Sequence, residues 1–475
     1  DRVSRGLGDV YKRQSLASSP SDMAKILRIH WGDTFKKRGI DPDLLSQWIE
    51  EDTMERLVND ETQADMPLVQ VERSHVEAAV KSSNNSAAGP DGIPYAVWRR
   101  LGDNGVDILH AALSWMITDD GQAELMKDFP SFNISFLHFL PKQAVGMTTD
   151  GLEIYSPDSV RPLNVCNTDN RILASATRRA IEPILAKSIT ILQRGFIGGR
   201  DMLDNLFDVE EAMITESASS EGASAIFFDF AAAFPSVEHE VMFAYFRALG
   251  WPKWLRNMVL NLYTNYSCLI ILGSEVHAGF DITRGIRQGC PLSPLLFAAM
   301  SELLLRRLQR LCRDATIRAW ADDLAMVIPN TMHTLPLLYL VFQEFARISG
   351  LLINIAKTVL VPLFQYELWR LRAVVQSLVP GWGAIGISGY TKYLGFMLGP
   401  EKKLESYTKP IAKYRERAAL WARQALGLHL SLRVYSVFIA SVLGFVTQLE
   451  PLPDELFKEA ELYACRRLFS GPHCW

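Results

Sequence analysis

Trp320-Ala321-Asp322-Asp323-Leu324-Ala325-Met326-Val327-Ile328 sets two adjacent carboxylates inside an apolar run, and Ile226-Phe227-Phe228-Asp229-Phe230 sets a third in another. Asp322 follows Asp229 by 93 residues. A charge in apolar surroundings is costly unless something compensates it. Three such carboxylates in two strand-like runs point to a shared cation, and divalent ions are the usual occupants of all-oxygen sites. Carboxylates on two neighbouring strands can hold two ions about 3.5–4 Å apart, the starting arrangement of a two-metal nucleotidyl transferase. Successive strand side chains face opposite ways, so Asp322 and Asp323 share a site only near a bend. A hairpin between 316–321 and 324–328 supplies it. By itself the Asp-Asp dipeptide is a weak signal.

Around this centre, strands and helices intermix without regular β-α alternation, which predicts an α+β fold. Residues 22–66 and Arg73–Ser82 read as helical. Ala87-Ala88-Gly89-Pro90-Asp91-Gly92-Ile93-Pro94 is a turn-rich loop before a helix from Tyr95. Ile134–Pro141 reads as a strand, and a polar excursion follows to Ser159. Asp169–Leu192 is an amphipathic helix, and 216–224 a small-residue connector leading into the Asp229 strand. Helices are expected at 238–248 and 252–264, and a hairpin at Ser267–Leu272 and Glu275–Thr283 around Gly273-Ser274. Ser293-Pro294 predicts a helix start with Ser293 as cap.

The chain has 475 residues, 48% apolar and 21% charged, an ordinary globular composition with room for about two to four domain-sized units. Its six cysteines form no C-x-x-C pair and no metal spacing with histidine, which reads as reduced structural thiols in an intracellular compartment. Val434–Leu449, 16 residues long, falls short of the roughly 20 that a span requires and reads as a buried helix. No secretory signal peptide is evident. The net charge of −4 hides an asymmetry. Residues 41–66 carry −8, whereas 161–200 carry +5 and 401–475 carry +3. Basic regions flanking a carboxylate core suit a polyanion path, and ordinary solvated helix faces explain the charge alone equally well. His239 between Glu238 and Glu240 reads as the polar first turn of a helix, Cys290 as packing, and no Ser or Cys nucleophile has a supporting motif.

Three motifs occur in order: Phe227-Phe228-Asp229-Phe230-Ala231-Ala232-Ala233-Phe234, then Arg284-Gly285-Ile286-Arg287-Gln288-Gly289-Cys290-Pro291-Leu292-Ser293-Pro294, then Ala321-Asp322-Asp323. This resembles the reverse transcriptase family, in its non-LTR (LINE-type) retrotransposon branch. Gly89-Pro90-Asp91-Gly92, Phe139-Leu140-Pro141-Lys142, Arg161-Pro162-Leu163 and Gln193-Arg194-Gly195-Phe196 resemble further motifs of that branch. So do Gly350-Leu351-Leu352-Ile353-Asn354-Ile355-Ala356-Lys357-Thr358 and Lys392-Tyr393-Leu394-Gly395. The match spans roughly residues 80–400.

The resemblance implies a right-hand polymerase: fingers at 81–205, a palm with an antiparallel sheet at 206–386, a primer-grip hairpin at 387–400 and a helical thumb, truncated or not, at 401–475. Residues 1–14 read as a non-native or unstructured start and 15–80 as an N-terminal helical extension. The implied reaction is RNA-templated DNA synthesis from dNTPs onto a DNA 3′-hydroxyl, with Mg²⁺ (or Mn²⁺) held by Asp229, Asp322 and Asp323. The hairpin geometry favours Asp322 as direct ligand, with Asp323 nearer the primer end. Phe234 would pack under the sugar and exclude a 2′-hydroxyl, and Gln288-Gly289 would meet the nascent base pair. Lys142 and Arg161 would grip triphosphate oxygens. Lys357 would stand by the leaving pyrophosphate as proton donor or electrostatic partner. Arg171, Arg178, Arg194 and Arg200 are candidates for the template path; Lys392, Tyr393 and Gly395 belong to the grip.

The implied partners are an RNA template, a DNA primer or nicked target DNA, and dNTPs, with no membrane. An endonuclease would come from another part of the full-length element. The implied setting is the nucleus during integration and the cytoplasm during ribonucleoprotein synthesis. Ala232 and Pro235 depart from the branch, which often has Lys and Asp there, and 18 residues separate Lys142 from Arg161. An RNA-dependent RNA polymerase and a catalytically inactive, retroelement-derived RNA-binding scaffold are the alternatives.

Overall fold

The computed structural model describes Ala17 and residues 19–58 and 68–469. The start at 1–14, the acidic residues Asp60, Glu61 and Asp65, and the end at 471–475 lie outside the described residues. The centre is a five-stranded sheet built from β5 (Ser224–Phe228), β8 (Thr316–Trp320), β9 (Asp323–Ile328), β10 (Val359–Pro362) and β11 (Gly386–Ile387), in the order β11-β10-β5-β9-β8. Every residue of β5 is buried, because both faces are covered. Ile226, Phe228, Leu324, Met326, Ile328 and Leu360 face a core shared with the helices Ser293–Leu311 and Thr331–Ser349. Their alternates, Ala225, Phe227, Ala325, Val327 and Val361, face a second core under the helix Met202–Ser219 and the C-terminal helices. A sheet buried on both faces reads as continuous apolar runs, and in such runs an aspartate stands out.

A second sheet has the order β4-β1-β6-β7, from β1 (Ile134–Pro141), β4 (Val160–Cys166), β6 (Ser267–Leu272) and β7 (Glu275–Asp281). β1 runs antiparallel to β4 and parallel to β6. The polar excursion folds as a small hairpin, β2 (Gly146–Met147) and β3 (Glu153–Ile154). A last hairpin joins β12 (Thr391–Tyr393) to β13 (Phe396–Leu398). Antiparallel pairing with separate helices gives the mixed α and β architecture expected, and the Gly273-Ser274 hairpin and most helices fall where the sequence put them.

Three local readings change. Residue 293 is inside its helix, capped by Leu292 without a side-chain bond; the Ser293 hydroxyl instead pairs with Tyr263 at 3.1 Å. The acidic segment breaks into Pro20–Thr34 and Pro42–Val58. Val434–Leu449 is not one helix but a π-helical turn at Tyr435–Ile439 followed by short 3₁₀ turns. Gly444 and the β-branched residues favour no regular helix there, and Ile439, Leu443 and Val446 are buried while Val437, Phe438 and Phe445 are exposed. No helix among the described residues is long and apolar enough to cross a membrane. All five described cysteines are free thiols.

The acidic helix Pro42–Val58 docks on a row of arginines. Asp52 is buried and bonds Arg56 Nε at 2.8 Å, Arg306 Nε at 2.9 Å and the Tyr245 hydroxyl at 2.8 Å. Arg310 reaches Glu55 at 2.8 Å, and Arg307 reaches Glu51. Much of this segment's negative charge is therefore matched inside the fold. Asp52→Ala removes the carboxylate that the buried Arg56 bonds, a change that costs about 3–5 kcal/mol. Urea unfolding should show that loss, and a cost no larger than that of breaking the exposed Lys81–Glu77 pair would contradict it.

Candidate active site

β5 and β9 pair antiparallel with Phe228 opposite Leu324. One step further along that register sets Asp229 across from Asp323. β8 and β9 close through a two-residue turn, Ala321-Asp322, between paired Trp320 and Asp323. Ala321 has φ +58°, the positive value that a tight hairpin turn of matching twist requires. The bend expected from the sequence is there, and it brings both neighbouring carboxylates to the end of the Asp229 strand.

Asp229 is fixed from its other side by the loop 350–358. Asn354 N–H donates to Asp229 O at 2.7 Å, Ala231 N–H to Leu352 O at 2.8 Å, and Thr358 Oγ1 accepts from Asp229 N–H at 3.4 Å. The same loop delivers Lys357, whose Nζ stands 3.9 Å from Asp229 Oδ2. Gln288 and Gly289 arrive on a loop stitched to both sheets. Ile286 N–H donates to Phe234 O at 2.7 Å, and Asn164 N–H of β4 donates to Gln288 O at 2.8 Å. Gly289 has φ +117°, and a Cβ there would meet Asn164 O at 2.3 Å, so only glycine fits. Lys142 and Arg161 sit at the ends of β1 and β4, where Leu140 pairs with Arg161.

The charges confirm their closeness. Burial, then the negative charge of Asp229, raises the Asp322 carboxyl above the usual range, against the opposing pull of Arg161 and Lys142. Asp323 is reached by solvent, yet protein crowds its carboxyl, and this desolvation followed by Asp322 and Asp229 pushes it up to about 6. Partial withdrawal from water, then the cations Arg161 and Lys357, lowers the Lys142 ammonium. Three carboxylates and three cations thus face one another across a cleft. Among the described residues no three carboxylate, imidazole or thiol groups converge into a ready-made cage. The fit to a divalent cation rests on the all-oxygen donor set.

The family described as reverse transcriptase (RNA-dependent DNA polymerase) matches residues 141–398, more than half of the chain. The chain belongs to the reverse transcriptase family. Among its curated relatives is the Nasonia vitripennis "Retrovirus-related Pol polyprotein from type-1 retrotransposable element R2", 29% identical over 236 residues, or 48% of this chain and 20% of that protein. The R2DM polyprotein of Drosophila melanogaster is 28% identical over 213 residues, 42% of this chain and 19% of its own. The Xenopus laevis "Transposon TX1 uncharacterized 149 kDa protein" is 27% identical over 176 residues, 35% of this chain and 14% of its own. The chain spans a fifth or less of these three relatives. They agree with the non-LTR retrotransposon branch.

Other candidate residues of this reverse transcriptase lie elsewhere. The template-path expectation does not match the placement of Arg171, Arg194 and Arg200, whose guanidinium groups turn inward. Arg171 is buried, bonds Ser86 Oγ at 3.2 Å and Ala87 O, and stacks 4.9 Å over the Tyr95 ring. It latches the loop carrying Gly89-Pro90-Asp91-Gly92. Arg194 is buried against Asp208 at 2.7 Å, and Asp208 also holds Arg318 of β8. Arg200 donates to the carbonyls of Ala186 and Ile189 at 2.8 and 2.6 Å, closing the end of the helix Thr168–Ser188. Arg178, half-buried, pairs with Glu182 at 3.0 Å. In the β12–β13 hairpin Lys392 is exposed, whereas Tyr393 is buried and stacks 5.3 Å from Phe227. Gly395 has φ +99°, and a Cβ there would meet the Phe445 ring at 2.5 Å.

Two site-building residues lay inside the quoted motifs without being singled out. Arg287 is fully buried, 4.0 Å over the Tyr266 ring, and donates to Asn170 Oδ1 at 3.3 Å. It ties the Gln288 loop to the helix after β4. Gln193 is also fully buried and touches the Ala321-Asp322 turn. Burial pushes His239 down to about 4, so it is neutral near pH 7. Its Nε2 faces Gly285 O at 2.9 Å, a structural tie and no acid–base centre.

Proposed function

We propose that this chain is the polymerase of a non-LTR retrotransposon, joining dNTPs to a DNA 3′-hydroxyl against an RNA template. The observation that carries this is the meeting of Asp229 with the turned Asp322-Asp323 pair, opposite Lys142, Arg161 and Lys357. Asp229 and Asp322 would hold the divalent cations, with Asp323 towards the primer end. Bound Mg²⁺, or Mn²⁺, supplies Lewis-acid charge that acidifies the 3′-hydroxyl and steadies the leaving group. In the reaction the 3′-oxygen bonds to the α-phosphorus while the bond to the bridging oxygen of the pyrophosphate breaks. Lys142 and Arg161 orient the triphosphate. Lys357 stands where it can give a proton, or a charge, to the departing pyrophosphate.

Gln288 Oε1 is buried without a hydrogen-bond partner. A buried acceptor left unpaired is unfavourable, so this amide is suited to contact with the nascent base pair beside Gly289. Phe234 supplies a wall at the sugar. On this reading residues 81–205 are fingers, 206–386 palm, 387–400 primer grip and 401–475 thumb. Lys392 is the exposed member of the grip. The primer would be nicked target DNA, with the nick made by another part of the element.

Primer extension by the purified chain on an RNA template, with Mg²⁺ and either dNTPs or rNTPs, tests the proposal. Template-dependent addition of dNTPs is the expected result. Preferential use of rNTPs would make the chain an RNA polymerase. Tight RNA binding without extension would make it a scaffold.

A further inference from the structure

The turn that carries Asp322 and Asp323 has an unusual conformation and little packing beneath it. Ala321 adopts φ +58°, a left-handed conformation that is unfavourable for a non-glycine residue. A small cavity of about 20 Å³ lies under it, bounded by Gln193, Phe230, Phe297, Ala321 and Leu324. Such a conformation needs contacts that hold it.

Hydrogen bonds from one side chain take that role. The Gln193 amide accepts from Ala321 N–H at 2.9 Å through Oε1 and donates to Ala321 O at 3.0 Å through Nε2. It thereby engages both polar backbone groups of the single residue that bends. The amide is itself oriented: Oε1 also accepts from Gly195 N–H at 2.9 Å, and Nε2 also donates to Ser301 Oγ at 3.2 Å. Its backbone is anchored to β8, with Ala319 N–H donating to Leu192 O at 2.7 Å and Arg194 N–H to Ala319 O at 2.9 Å. Gly195 allows the close approach, since a Cβ there would lie 2.1 Å from Ala321 N.

We propose that Gln193 is a positioning residue, whose amide clamps Ala321 in its left-handed conformation and so sets the placement of Asp322 and Asp323. It touches neither substrate nor metal. The inference rests on the polymerase reading for its kinetic consequence only.

Gln193→Met tests it, because methionine fills similar volume without bonding the backbone. Loss of a residue that orients metal ligands typically costs 10–100-fold in metal affinity or activity. Gln193→Met should lower kcat for primer extension by about that factor, leave KM for dNTP unchanged, and weaken Mn²⁺ binding to the nucleic-acid-free chain. Ala321→Gly should restore much of the loss in the Gln193→Met background, because glycine adopts positive φ without strain. The Ala321→Gly single variant is the reference for that comparison. Unchanged kcat and Mn²⁺ affinity in folded Gln193→Met would overturn the clamp, as would a double variant no better than Gln193→Met. If the unaltered chain fails to extend primers, the polymerase reading fails, and the Mn²⁺ titrations of the same four proteins still decide the clamp.

Discussion

Asp322→Asn is expected to leave the folded chain with about a thousandth or less of its primer-extension rate. An amide keeps the shape of the carboxylate but lacks its charge and one of its two acceptor oxygens. Metal-borne stabilisation of the transition state is worth several kcal/mol, and each 1.36 kcal/mol is tenfold in rate. Single-turnover extension on an RNA template measures the effect, and a full rate in the variant would remove Asp322 from the site.

The same crowding has a consequence for stability without metal. Asp323 has its carboxyl pushed up to about 6, against about 3.9 for an unperturbed aspartate. A folded-state value above the unfolded one means that the folded chain favours the protonated form. The contribution to stability is complete below about pH 4 and is lost as pH rises through about 6. Beside burial, Asp322 and Asp229 act on this group, so the carboxylates work against its ionisation. In EDTA the unaltered chain should lose thermal stability across that window, and Asp323→Asn should flatten the loss. Identical pH slopes for the two proteins would count against this account.

Phe234→Ala should reduce discrimination between dNTPs and rNTPs by about a hundredfold, the scale on which an apolar pocket separates ligands differing by a hydroxyl. The ring is not free to swing aside. It stacks on Phe297 at 4.8 Å with planes 11° apart, and meets the edge of Phe196 at 6.2 Å. Its carbonyl is held by Ile286 N–H at 2.7 Å. Replacing it with a methyl opens the space that a 2′-hydroxyl would need. The ratio of kcat/KM for dGTP and GTP on one template measures the change; an unaltered ratio would place the sugar gate elsewhere.

Much of this protein was legible in the chain itself. The two apolar runs show where a strand is buried on both faces, since double burial suits a continuously apolar run such as 225–228. An aspartate at the end of each run then marks a site, because such a charge needs a partner. Gly273-Ser274 and the proline after Ser293 set a hairpin and a helix through local backbone preferences. The order of the motifs carried the family.

What the linear order left open were contacts between segments distant along the chain. An arginine in a basic stretch looks the same whether it meets a phosphate or a carbonyl. Only the folded chain turns Arg171 onto Tyr95 and Arg194 onto Asp208. The negative charge of 41–58 showed no partner in the linear order, yet tertiary packing sets it against Arg306, Arg307 and Arg310. Ala321 carries no sign of its positive φ, because alanine is no turn former. Its conformation is decided 128 residues away, by an amide that bonds both ends of its peptide. The sequence by itself determined which carboxylates stand out and which strands carry them, through local periodicity and the cost of buried charge. Tertiary structure alone decided how those carboxylates are aimed, because the donors and acceptors that hold the turn come together only when distant segments pack.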